Sequence, residues 1–111
     1  MDRKIKLFVN VIKAISLIEE FLGPINLFED YSVDLKTKSA IERQPGIIGE
    51  AVKKIKDIDP SEAITSHSDI IGLRNIIIHG YDTLDDNIVW SVIKGDLDIL
   101  KNEVLEKLQI E

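Results

Sequence analysis

Apolar residues recur three and four positions apart from Ile5 to Leu22, at Ile5, Phe8, Val9, Ile12, Ile15, Ile18, Phe21 and Leu22, with charged and amide side chains between them. That spacing lays one stripe along a helix of 3.6 residues per turn. Gly23-Pro24 ends it, because proline lacks the N–H that a helix interior needs. Residues 25–33 (INLFEDYSV) keep no period and predict an ordered connector pinned by Phe28 and Tyr31. A second helix is expected from Ser32 or Asp34 toward Arg43, kinked or broken at Gln44-Pro45-Gly46. Ile47, Ile48, Ala51, Val52 and Ile55 then resume a helical stripe, opposite Glu50, Lys53, Lys54 and Lys56. Asp57-Ile58-Asp59-Pro60 closes this helix, and Asp59 and Pro60 suit the cap and first position of a further short turn of helix.

Ser66 or Ser68 can cap the next element, Asp69 to His79, and Gly80 stands where a left-handed residue would stop it. Ile76-Ile77-Ile78 also fits a buried strand, but no second strand-like segment exists to pair with it, so helix is predicted. The last helix begins after Asp85-Asp86, acids favoured at the positive end of a helix. It carries Val89, Ile93, Leu97, Leu100, Val104 and Leu108 on one stripe, weakened locally at Gly95. Four or five helices with short connections imply an all-α antiparallel bundle forming one domain over residues 1–111.

A chain of 111 residues can build one core. It has no cysteine, which excludes a disulfide framework, a thiol nucleophile and a thiolate metal site, and makes the cytoplasm the expected location. The mixed charges of Met1 to Lys6, and the interrupted stripe after them, fit neither a secretory signal nor a transmembrane span. The net charge of −6 argues against non-specific coating of nucleic acid. The charge is uneven, however: residues 1–60 hold ten basic and ten acidic groups, and residues 61–111 hold four and ten. Residues 32–56 concentrate Lys36, Lys38, Arg43, Lys53, Lys54 and Lys56 against Asp34, Glu42 and Glu50, which leaves room for a local basic face. No glycine-rich phosphate loop or paired-histidine metal motif is present, so neither an ATPase nor a metalloenzyme is expected, and no cofactor.

His67 and His79 are the side chains that titrate near neutral pH without a large perturbation. His79 follows Asn75 by four residues and Arg74 by five. On a helix these are rotations of about 40° and about 140°, so Asn75 and His79 share a face while Arg74 stands to one side. Two copies of this helix about a two-fold axis would line one cleft with cationic donors for a phosphate and an imidazole for proton transfer, the outfit for phosphodiester cleavage. The same spacing also fits a plain structural role in which Arg74 and His79 tie helix ends. Glu50 is expected to be a structural acceptor that holds Arg74, His67 a cap or packing residue, and Trp90 a core anchor.

Asp69-Ile70-Ile71-Gly72-Leu73-Arg74-Asn75-Ile76-Ile77-Ile78-His79-Gly80-Tyr81 resembles the signature of the HepT-like ribonuclease family, a branch of the HEPN superfamily: Arg, four residues, His, one residue, Tyr. Ile47-Ile48-Gly49-Glu50-Ala51 is similar to that family's Ile-Gly-Glu-Ala helix, and Ile88-Val89-Trp90 leads similarly into the final helix. The resemblance implies a dimeric HEPN-like bundle acting as a metal-independent RNA endonuclease. In such a protein the toxin is paired with a small nucleotidyltransferase antitoxin of the MntA type. It also implies that His79 is the general acid or base, that Arg74 stabilises the phosphate, and that Asn75 orients His79 or the phosphate. Tyr81 would be the residue to which the antitoxin attaches AMP. Lys53, Lys54 and Lys56 fit a plain solvated face, and only their proximity to this motif would make them an RNA footprint. Asp82, Asp85 and Asp86 set three acids beside this site and favour the other reading, a non-catalytic helical partner of a nucleotidyltransferase or a nucleotide-binding module.

Overall fold

In a computed structural model, residues 2–79 and 84–109 are described. Gly80, Tyr81 and Asp82, and with them the expected glycine stop, lie outside the described residues. Helix α1 (Arg3–Leu22) starts on Asp2, whose Oδ1 accepts from the backbone N–H groups of Lys4 and Ile5 at 2.8 and 3.2 Å. It stops at Gly23, the one described residue with positive φ (52°), where a side chain would be strained. Helix α3 (Leu35–Ile41) is capped by Asp34, whose carboxylate accepts from Thr37 N–H at 3.0 Å. Gln44-Pro45 then opens a separate helix, α4 (Gln44–Ile58), with proline in its first turn, where the missing N–H removes no bond. The expected interruption is therefore a break.

Helix α5 (His67–Ile78) follows, and its isoleucine run is helical. The final segment is continuous: α6 (Asp86–Ser91), a π-helical turn (Val92–Asp96) containing Gly95, and α7 (Leu97–Leu108). The wider π turn lets Val92 and Ile93, adjacent in sequence, both enter the core. Side-chain pairs fix the directions. Lys4 of α1 meets Asp59 beyond the end of α4, and Gly46 at the start of α4 faces Ile77 at the end of α5. Asp69 of α5 pairs with Asp96. Sequential long helices thus run antiparallel, as the bundle reading expects.

Three details differ from the sequence reading. The connector at 25–33 contains a short helix, α2 (Phe28–Val33), because Tyr31 must turn inward to be fully buried against Trp90, ring centroids 5.2 Å apart. Asp59-Pro60 forms a turn, with Asp59 Oδ1 accepting from Ser61 N–H and Oγ–H at 3.1 and 2.6 Å, where a turn of helix was expected. The buried stripe of α1 includes Val11 and Ala14 and leaves Ile5 and Phe21 exposed. The core is set by α4 and α7 packing onto α1, and it centres on Val11, Ile18, Ile48, Val52, Ile55 and Leu100.

Candidate active site

Helices α4 and α5 come unusually close because Gly46 and Gly49, three residues apart, present no side chains to the contact. A Cβ at Gly46 would lie 3.3 Å from Ile77 Cγ2; one at Gly49 would collide with Arg74 Cβ and lie 3.0 Å from the Ile70 carbonyl oxygen. This approach seats Arg74 against the next residue of α4, Glu50. Arg74 Nε–H and Nη2–H both donate to Glu50 Oε2, at 2.9 and 2.5 Å, and Nη1–H donates to Asn75 Oδ1 at 2.8 Å. The guanidinium has five N–H donors, so two are left over in a fixed orientation. Glu50 offsets much of the arginine's charge, and what the site offers an incoming phosphate is placed donors on a half-buried, pre-oriented fork.

His79 is the C-cap of α5. Its backbone N–H donates to the Asn75 carbonyl at 3.0 Å and its side chain is exposed. The described residues thus bring Arg74, Glu50 and Asn75 together, with His79 one helical turn beyond Asn75 and about 140° of rotation from Arg74. The Asn75 side chain accepts from Arg74, a partner the sequence reading did not name. Ile78 beside them is 54% exposed, and Ile71 is half-buried on the same side of α5.

Of the lysines expected in an RNA footprint, Lys53 pairs with Asp57 at 3.4 Å and Lys56 donates to the carbonyls of Pro60 and Glu62 at 3.0 and 2.8 Å. Lys54 is exposed and lines the groove that Glu50 also lines. The acids expected near the site have other roles. Asp85 caps α6 through Asn87 N–H at 2.8 Å, and Asp86 pairs with Lys38 at 2.6 Å; Asp82 lies outside the described residues. Nδ1–H of His67 donates to the Ile64 carbonyl at 3.1 Å and ties the first residue of α5 to the preceding loop, a packing role. Trp90 packs on Tyr31 and Phe28 as a core anchor, with Lys94 Nζ 5.4 Å from its ring. Gly49 is the residue whose part in the site the sequence did not disclose; its signal was its place three residues after Gly46 in the segment that precedes Glu50.

The family model described as ribonuclease HepT-like matches residues 11–106. The chain is 37% identical over 105 residues, 90% of each chain, to the probable ribonuclease HepT of Thermococcus cleftensis. It is 36% identical over 89 residues, 76% of each chain, to a candidate RNase of Caldanaerobacter subterraneus subsp. tengcongensis. It is also 29% identical over 104 residues, 92% of this chain and 94% of the other, to a candidate RNase of Methanocaldococcus jannaschii. No solved structure matches significantly. With a helical bundle, an arginine seated by Gly49 and Glu50, and a family match that runs from α1 through α7, this chain belongs to the HepT-like ribonuclease family.

Proposed function

We propose that the protein is a metal-independent RNA endonuclease in which Arg74 and His79, from two copies of α5 in a homodimer, form one composite site. The observation that carries this reading is the fixing of Arg74 by Glu50 and Asn75 with two donors left over, one helical turn before an exposed histidine. His79 removes the proton of a ribose 2′-hydroxyl, and the 2′ oxygen attacks the adjacent phosphorus. The bond to the 5′ oxygen breaks and that oxygen receives a proton, leaving a cyclic phosphate and a 5′-hydroxyl. Arg74 binds the non-bridging oxygens as charge grows on them. The half-turn offset between Arg74 and His79 on one helix is the reason for two copies: each supplies what the other aims elsewhere. The exposed Ile78 and its neighbour Ile71 supply the apolar face for that meeting.

In the cell the enzyme acts as a toxin, held in check by a nucleotidyltransferase antitoxin of the MntA type that attaches AMP to Tyr81, two residues after His79, blocking RNA by bulk and charge. The alternative of a non-catalytic partner drew its support from Asp82, Asp85 and Asp86; of these, Asp85 and Asp86 are engaged in the fold, and Asp82 lies outside the described residues. The test is incubation of the protein, shown by intact mass to be unmodified, with total RNA in EDTA. The wild type cleaves, His79→Ala does not, and Arg74→Ala is slower by about 10²–10³. Equal cleavage by wild type and His79→Ala would exclude the proposal.

A further inference from the structure

A groove of about 400 Å³ runs between α1 and α4 and reaches the end of α5. Leu7, Ile47, Ala51 and Ile77 make its floor largely apolar, Asn10 offers one amide, and Ile78 marks the end where the groove meets the proposed dimer face. Its carboxylate, Glu50, is already bound to Arg74. Arg43 and Lys54 of the α4 side also line it, and both are exposed. On α1, Lys6 and Lys13 are exposed four residues before and three after Asn10, hence on the same side of that helix. None of these four cations has an ion-pair or side-chain hydrogen-bond partner among the described residues, although the chain has an excess of acids. Elsewhere Lys4, Lys38, Lys101 and Lys107 end on carboxylates, while Arg3 and Lys36, which do not line the groove, are exposed and form no ion pair among the described residues.

We infer that this groove is the path of a single RNA strand, with its phosphates on Lys6 and Lys13 at one rim and on Arg43 and Lys54 at the other. One unstacked base lies on the apolar floor, its edge read by Asn10, next to the Arg74–Glu50 pair. The inference rests on the ribonuclease reading and adds the substrate's form to it. Four unpaired cations on an acidic protein are matched by a phosphate backbone, and an apolar floor is matched by a base face. A duplex keeps its base faces stacked and its phosphates on a broader cylinder, so the groove selects single strands.

The test measures binding of the full-length protein to a single-stranded RNA of roughly 12 nucleotides, a length within the usual site sizes. The probe is made uncleavable by 2′-O-methylation and titrated at several salt concentrations. Lys6→Gln, Lys13→Gln, Arg43→Gln and Lys54→Gln combined should weaken binding at least about tenfold and lower the salt slope by roughly 0.7 per charge removed. Lys101→Gln should change neither, and the matching duplex should bind more weakly than the strand. Unchanged affinity and slope in the combined variant would overturn the inference even if natural RNA is cleaved, as would equal binding of duplex and strand. Loss of affinity that merely follows a loss of dimer would also overturn it and make the groove an interface between copies. Loss of binding in the combined variant, beside a wild type that cleaves no natural RNA, would uphold the groove and count against the nuclease proposal alone.

Discussion

Two groups of the protein's cations are held differently by the fold, the lysines in ion pairs between helices and the unpaired cations near the groove. On one side Lys4 reaches Asp59 and Glu62 at 3.0 Å each, Lys107 reaches Glu62 at 2.8 Å, and Lys101 reaches Glu19 at 2.8 Å, tying α1, the turn after α4, and α7 together. Arg43 and Lys54 of the groove, and Lys6 and Lys13 on the adjoining side of α1, reach no carboxylate among the described residues. Lys4 and Lys6 are two residues apart on one helix, yet one staples the bundle and the other faces solvent. A net charge of −6 therefore says little about what the surface can bind. Arg74 stands between the sets, paired with Glu50 yet retaining donors.

The contrast breaks most severely at Gly49. Gly49→Ala drives a Cβ into Arg74 and should lower stability by about 1–3 kcal/mol in a denaturant titration, with loss of RNA cleavage, whereas Gly46→Ala, tight only against Ile77 Cγ2, should do less. Glu50→Ala moves Arg74 from the fastened set to the unfastened one. With the pair partly exposed, stability should fall by about 1 kcal/mol. RNA turnover should drop while KM does not rise, because a charge is released and its placement lost; a rise in KM with unchanged turnover would contradict this.

Against Trp90, the hydroxyl of Tyr31 is buried with no hydrogen-bond partner among the described residues, and burial, followed by the nearby Asp86 and Glu42, pushes its pKa up. Tyr31→Phe should raise stability by about 0.5–1 kcal/mol, read as a higher melting temperature. The smallest effect belongs to Asp59, whose pKa is held down to about 2 by hydrogen bonds from Ser61 and then Lys4. A carboxylate with a folded-state pKa below its unfolded value stabilises at pH above the latter, and loses that contribution as pH falls through the former. The melting temperature of Asp59→Asn should therefore lie slightly below wild type at pH 6, and the gap should close between about pH 4 and pH 2. A gap that persists at pH 2 would place the effect in packing.

The sequence was a good guide wherever a local rule acts. Asp2, Asp34 and Asp85 cap helices through their own carboxylates, and Pro45 begins a helix because its missing N–H is harmless in a first turn. The isoleucine run at 76–78 had to be helical for want of a strand partner. It was a poorer guide wherever the decision lay across the bundle. The helix at Phe28–Val33 exists because Tyr31 meets Trp90, some sixty residues away in the chain. Lys53, Lys54 and Lys56 look alike in sequence, yet one pairs along its helix, one lines the groove and one closes the turn after α4.

The sequence by itself determined the long helices, several of their ends and the family, because periodicity and motif spacing are properties of neighbouring residues. The tertiary structure decided which face of α1 is buried, that Gly49 admits Arg74 to Glu50, and which cations remain unpaired. Those outcomes depend on distances between segments far apart in the chain, where a shift of a few ångströms in helix approach separates a collision from a hydrogen bond.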